Sequence, residues 1–302
     1  MPSDPTPLAP GLYLVATPIG NLGDITLRAL DVLRRADRIC CEDTRQTQKL
    51  LNHYAISTRT ESLHEHNEHE RSLSLVESLR NGARIAIVTD AGMPGISDPG
   101  MLLARAAIGA GIPVIPIPGA NAALTALVAS GLPSAEFTYL GFLPEKAGPR
   151  RTRLESIAEQ AGTAPRTLIF YEAPHRILDT LADLESVFGP DLPIVLAREL
   201  TKAYEEFLRG PVAQIRSQLA SRDRVRGEIT LLIEAPARAL GPGAPGPSPL
   251  GTRDSIMDRV AQLQSGSGMD EKEALKHLAR ELNRSKSDLY RELQRQRARR
   301  KP

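Results

Sequence analysis

Cysteine is nearly missing from this 302-residue sequence: Cys40 and Cys41 are the only two, and they are adjacent. Neighbours on a strand point to opposite faces, so the pair makes a poor disulfide, and two thiols alone do not complete a zinc site. A reduced, cytoplasmic protein without a bound metal is expected. Long apolar runs are lacking too. No stretch approaches the ~18 apolar residues of a membrane-crossing helix. The opening MPSDPTPLAP is polar and proline-rich, without the apolar core of a secretion signal. A large charge excess is also missing. With 38 basic and 36 acidic residues the net charge is +2, so any basic surface has to be local.

What remains is a chain of ordinary globular composition, 41% apolar and 25% charged. LYLVAT (12–17), RICC (38–41), RIAIVT (84–89) and PVIPIP (113–118) read as strands. Between them DITLRALDVLRRAD (24–37), with Asp24 as its cap, RSLSLVESLRNG (71–82) and MLLARAAIGAG (101–111) read as helices. Such alternation predicts a parallel sheet covered on both faces, a Rossmann-like α/β domain over 11–122 behind a loose tail at 1–10. FTYLGF (137–142), TLIFYE (167–172), IVLARE (194–199) and EITLLIEA (228–235) predict a second α/β domain over 123–235. Residues 236–250 are rich in proline and glycine without hydrophobic periodicity, and read as a linker.

The segment 251–302 carries 13 Lys and Arg against 8 Asp and Glu. Leu275, Leu278, Ala279 and Leu282 mark one helix face, and Asn283–Ser285 a tight turn. Ser287 caps a second helix with Leu289, Tyr290 and Leu293. A basic helix-turn-helix on a tether is the reading, with Arg295, Arg297, Arg299 and Arg300 available to RNA phosphates.

Three loops carry the chemistry. TPIGNLGDIT (17–26) joins the first strand to the first helix, where parallel α/β sheets bind ligands. No Lys-Ser or Lys-Thr follows it and its spacing is not G-x-G-x-x-G, which removes two phosphate-binding patterns. VTDAGMPGISDPGM (88–101) spends fourteen residues on three glycines, two prolines and the carboxylates Asp90 and Asp98. PIPGANAALTAL (116–127) leads from the fourth strand into a helix of small residues. None of the three holds an arginine or lysine ahead of its helix. Uncharged backbone donors with aspartates suit a zwitterionic, nucleoside-like molecule rather than a phosphate.

TPIGNLGD, CEDTR, TDAGMPGISDPG, PGANAALTALVASGLP and YEAPHR, in that order, resemble the tetrapyrrole-methylase superfamily. They are most similar to its ribosomal branch, which methylates a cytidine ribose 2′-hydroxyl in small-subunit rRNA. The similarity runs from about Gly11 to Glu234, and the linker with its basic extension is similar to that branch's C-terminal part. The resemblance implies S-adenosylmethionine held between two α/β domains, commonly in a homodimer, acting on 16S rRNA or an assembled 30S subunit. It places Pro18 and Gly20, then Asp90, Gly92, Gly95 and Ile96, then Gly119, Ala120, Asn121 and Ala122 at the cofactor.

For the transfer itself, FYEAPHR (170–176) offers Glu172 and His175 as proton acceptors and Arg176 as a phosphate ligand. Arg45, Lys202 and the loop bearing Lys146, Arg150 and Arg151 are candidate RNA contacts. SLHEHNEHE (62–70) lacks the H-E-x-x-H spacing, so His64, His66 and His69 read as a polar substrate-facing loop. Three other readings compete. A tetrapyrrole C-methylase of the same fold has no use for a basic helix-turn-helix. A nicotinamide dehydrogenase with Glu42 on the ribose lacks its glycine signature. A nucleic-acid-binding regulator would use residues 11–235 only to sense a small molecule.

Overall fold

The structure, a computed structural model, describes residues 8–160, 166–235, 260, 263–264, 269–281, 289–291 and 293. Two compact units divide the chain, Met1–Gly241 and Pro242–Pro302.

The first unit contains two five-stranded sheets. The first sheet uses β1 (Gly11–Val15), β2 (Arg38–Cys41), β3 (Thr60–Ser62), β4 (Arg84–Val88) and β5 (Val114–Ile117), in the order β3-β2-β4-β1-β5 and parallel throughout. Its crossovers are α1 (Leu27–Arg35), α2 (Thr44–His53), α3 (Glu65–Arg80) and α4 (Met101–Gly109). Side chains alternate between faces. Val15, Ile39 and Val88 pack under α1 and α2, while Leu12, Ile85 and Ile87 pack under α3 and α4. The adjacent thiols obey the same rule: Cys41 lies in the first layer and Cys40 in the second, both buried and free.

The second sheet is mixed. It uses β6 (Phe137–Phe142), β7 (Arg166–Glu172), β8 (Pro193–Arg198), β9 (Glu206–Pro211) and β10 (Ile229–Ala235), in the order β6-β7-β10-β8-β9. Only β6 and β7 are parallel neighbours. One face carries Phe170, Leu196 and Leu231 into a core with α6 (Ala147–Glu159), α7 (Ile177–Phe188) and α8 (Val212–Ala220). The other face carries Ile169, Val195 and Leu232 against Ala123, Ala126 and Leu127 of α5 (Ala122–Ser130). Helix α5 leaves the first sheet from β5 and packs on the second, so it couples the two.

Some local expectations change. Helix α1 starts at Leu27, and its cap is Thr26, whose hydroxyl accepts from Ala29 N–H at 3.1 Å; Asp24 sits in a 3-10 turn, Leu22–Asp24. SLHEHNEHE is no loop: α3 begins at Glu65, and His64 N–H donates to Asn67 Oδ1 at 2.9 Å. Among the described residues no group of three or more His, Cys, Asp or Glu side chains could hold a metal ion, and no helix is long and apolar enough to cross a membrane.

In the second unit α9 (Glu271–Glu281) begins where Asp270 Oδ1 accepts from Glu273 N–H at 2.7 Å. Ala274, Leu275 and Leu278 are buried with Val260, Leu289 and Leu293 in a small core of their own. The expected turn at 283–285 and the cap at Ser287 lie outside the described residues.

Candidate functional site

Strands β4, β1 and β5 are neighbours and parallel, so their carboxyl ends put the three glycine loops side by side. The first two are stitched together. Thr17 N–H donates to Gly92 O at 2.9 Å, and Gly92 N–H returns a bond to Thr17 O at 3.1 Å. Gly92 and Gly95 hold φ of +88° and +81°, a region open to glycine and strained for other residues. Gly119 answers to close approach instead: a Cβ there would lie 2.7 Å from that of Ala16. Buried Glu68 in α3 accepts from the N–H groups of Gly100 (3.0 Å) and Leu103 (3.1 Å), pinning the end of the second loop to the start of α4.

The facing wall is the edge of the second sheet where β6, β7 and β8 end and β10 begins. Between the walls lies a cavity of about 340 Å³, within the range of small-molecule sites. Ile19, Gly92, Met93, Ile96, Asn121 and Ala122 line it from one side, and Phe142, Tyr171, Pro174, Leu200, Ile229 and Thr230 from the other. The two walls also touch directly: Ser97 Oγ and Tyr139 OH are 2.6 Å apart, and Asn21 N–H donates to Thr201 Oγ1 at 3.1 Å. Three of the four non-glycine residues with positive φ among the described residues, Ser97, Glu199 and Thr201, lie in these loops. Strained backbone concentrated beside one cavity marks a place where geometry has been held for function.

The lining includes Asp98, Glu172 and Glu228 but no lysine, arginine or histidine. Of the carboxylates at the cavity, Glu172 and Glu228 are ion-paired with Arg176 and Lys202. Burial, reinforced by the charges of Glu42 and Asp90, pushes the Asp98 carboxyl up to about 6. Burial likewise raises Asp90.

Of the expected cofactor positions, Gly92, Ile96, Asn121 and Ala122 line the cavity. Pro18, Gly20, Asp90, Gly95, Gly119 and Ala120 belong to the same loops without lining it. Gly20 serves the contact between the walls, because the stem of Lys202 occupies the place a Cβ would take.

The expected reactive groups fare differently. Glu172 borders the cavity, but its side chain is fully buried and both carboxylate oxygens are engaged. It accepts from Arg176 Nε, from Thr180 Oγ1 at 2.7 Å and from Ala173 N–H at 2.7 Å. Arg176, 9% exposed, also donates to Leu143 O at 3.2 Å, so it is a structural partner rather than a phosphate ligand. His175 is exposed and faces a neighbouring hollow. Arg150 is 3% exposed in α6 and paired with Asp183 at 2.7 Å, so it cannot meet RNA. Lys202 bonds Glu199 and Glu228, both at 2.9 Å, so its charge is paired although the side chain is half-buried. Arg45, Lys146 and Arg151 are exposed, with Arg45 held by Asp43 and Arg151 by Asp183. Arg295, Arg297, Arg299 and Arg300 lie outside the described residues.

Tyr171 came with the YEAPHR motif without a role of its own, and Ser97, Phe142, Leu200 and Thr230 were not singled out by sequence for the site. The only signals for them were position: Ser97 sits in the glycine-rich loop, and the others lie at or beside strand ends on what proves to be the same edge.

A largely apolar cleft between two sheets, with glycine loops on one side and no basic side chain in its lining, belongs to an α/β protein with room for a small molecule between its sheets. The chain belongs to the tetrapyrrole (corrin/porphyrin) methylases, whose family model matches residues 11–216. It is 46% identical over 279 residues to the ribosomal RNA small subunit methyltransferase I of Halalkalibacterium halodurans, covering 92% of this chain and 93% of that one. The Vibrio cholerae protein of the same description is 51% identical over 226 residues, or 74% and 77% of the two chains. Among solved structures, a diphthine synthase aligns with a TM-score of 0.56 at 16% identity, over 74% of this chain and 89% of its own. A cobalt precorrin-4 methyltransferase aligns at 0.51 and 16%, over 74% and 93%. These last two bear on the fold alone.

Proposed function

We propose that this protein methylates the ribose 2′-hydroxyl of a cytidine in small-subunit ribosomal RNA, with S-adenosylmethionine as donor. The observation that carries the reading is the cavity: bounded by both sheets, lined by Gly92 and by carboxylates, and free of basic side chains. It fits a donor with a positive sulfonium and ammonium and a flat adenine ring that apolar side chains can cover. The kinship with ribosomal RNA small subunit methyltransferases over most of the chain supplies the substrate class.

S-adenosylmethionine supplies an electrophilic methyl group when bound. The residues of this chain contribute placement. Ile19, Ile96, Leu200 and Ile229 exclude water, and Asp98 favours a cationic guest. The loops from β1, β4 and β5 hold the guest on one wall while the second sheet presents the ribose on the other. Positioning of this kind is worth about 7–11 kcal/mol of barrier. With both Glu172 carboxylate oxygens engaged, placement and desolvation carry more of the work than a proton acceptor does.

The protein acts in the cytoplasm on 16S rRNA or the 30S subunit, as a homodimer. Support for the last point is the exposed apolar stripe of α5, Leu124 and Val128, which a second copy would cover. The test is mass-spectrometric mapping of ribose methylation in small-subunit rRNA from cells with and without the gene. One 2′-O-methylcytidine disappears in the deletion strain and returns on complementation; an unchanged map refutes the assignment.

A further inference from the structure

Beside the cavity lies a second hollow that no expectation covered. It is lined by Pro174, His175, Leu178 and Asp179 on one side and by the loop Arg224–Gly227 on the other. The two spaces are adjacent. Pro174 lines both, and Gly227 of the hollow is followed in the chain by Glu228 of the cavity.

The loop that bears Arg224 and Arg226 is held in shape. At its start Arg222 makes a two-bond fork with Glu206, at 2.8 and 2.6 Å. At its end Arg198 donates to Arg226 O at 3.1 Å, while its Nε is paired with Glu206 at 3.0 Å. Gly227, with φ +91°, follows; a Cβ there would collide with Glu199. The inner arginines, 198 and 222, therefore share one carboxylate, Glu206. The outer pair, Arg224 and Arg226, is exposed and makes no ion pair with any described residue. Exposed His175 faces them across the hollow, with Asp179 the one carboxylate on its wall.

Resting on the function proposed above, we infer that this hollow seats the phosphates flanking the target nucleotide, with Arg224 and Arg226 as their ligands and His175 beside them. A ribose in the cavity has its phosphates a few ångströms away, and the hollow is the adjoining space with unpaired guanidinium groups. Arginine forks match phosphate oxygens, and a preshaped loop lowers the ordering cost of binding them. Asp179, the one carboxylate in the lining, is an acceptor for a ribose hydroxyl or a cytosine amine.

The experiment uses the full-length protein, 30S subunits as substrate and radiolabelled S-adenosylmethionine. Arg224→Gln and Arg226→Gln each raise KM for the subunit roughly ten-fold, one charged hydrogen bond's worth. Each also lowers the slope of log KM against log salt by about 0.7–0.9. Arg226→Lys restores part of the loss, and kcat at saturating substrate and calorimetric affinity for S-adenosylmethionine stay within two-fold. Arg80→Gln, which removes an exposed arginine at the end of α3, leaves all of these unchanged. Unaltered KM and salt slope in Arg224→Gln/Arg226→Gln overturn the inference. So does an equal effect of Arg80→Gln, which would reduce the arginines to bulk charge. A wild-type protein that methylates no RNA, yet binds a short single-stranded RNA more tightly than the double variant does, would strike the functional reading and leave the hollow as an RNA seat.

Discussion

Glu172→Gln separates scaffold from chemistry. In sequence this glutamate looks like a proton acceptor at a strand end. In the structure its side chain is fully buried and accepts three hydrogen bonds, one from the guanidinium of Arg176. Glutamine keeps one acceptor oxygen but turns the other into a donor facing Arg176 or Thr180, and it removes the charge that compensates a buried arginine. Breaking such a pair costs about 3–5 kcal/mol. The retained oxygen and the Arg176 bond to Leu143 O set the estimate at the lower end, ~3 kcal/mol. In a unit of this size, Met1–Gly241, that corresponds to a fall in Tm of roughly 6–12 °C. Thermal unfolding by circular dichroism reads the loss, and steady-state methyl transfer well below the new Tm reads the chemistry. The expected pattern is a large drop in Tm with kcat reduced less than ten-fold at low temperature. An unchanged Tm with kcat reduced by the ~10²–10⁴-fold of a lost general base would refute the reasoning and return Glu172 to the reaction.

Three further outcomes follow from the cavity. The folded-state value of Asp98 lies above its unfolded one, so its ionisation opposes folding. That penalty is absent below about pH 4, grows between ~4 and ~6 and is complete above. Asp98→Asn therefore raises Tm near neutral pH and not at acidic pH in a melting series. Its calorimetric affinity for S-adenosylmethionine also loses the rise with pH through about 6 that the wild type shows. Gly119→Ala forces a Cβ against Ala16 and spreads β1 from β5. At the ~1–3 kcal/mol of an overpacked site, it raises KM for the donor about ten-fold or more while KM for RNA holds. Phe142, 56% exposed at the cavity and edge-on to Tyr171, offers a ring for a nucleobase. Phe142→Ala costs ~1–3 kcal/mol of RNA binding, read as KM for the subunit with donor affinity unaltered.

The first sheet was legible because its strands are short apolar runs closed by glycine loops, and a parallel sheet buried on both faces leaves that trace. Helix α2, TRQTQKLLNH, escaped notice because only Thr47, Leu50 and Leu51 of it are buried. Helix α6 was hidden by Pro149 in its first turn, where proline is tolerated, so AGPRR passed for a basic loop. Strand β9 is an edge strand with one fully buried residue, Leu208. The site divided along similar lines. Backbone openness is written in glycine and proline and can be read off directly. Which charges face the ligand is decided by pairings across the fold, such as Arg150 with Asp183 and Arg222 with Glu206, that no local pattern contains.

Under the proposed function, those pairings let the second sheet flank a methyl donor. Its carboxyl edge needs many polar groups to end strands and start helices, yet an unpaired cation there would repel a sulfonium. Glu172 pairs with Arg176, Glu199 and Glu228 pair with Lys202, and Glu206 holds both Arg198 and Arg222 in place. Holding its own bond to Lys202, the Glu199 carboxyl lies below the usual carboxylate range, with burial working against the shift. The wall facing the cavity is thereby reduced to apolar side chains and carboxylate edges, while the arginines left over, 224 and 226, face the hollow next door. Under the function proposed above, this segregation keeps the guanidinium groups that would bind RNA away from the cationic sulfonium of the donor. Two adjacent compartments of opposite character let both bind within reach of one another.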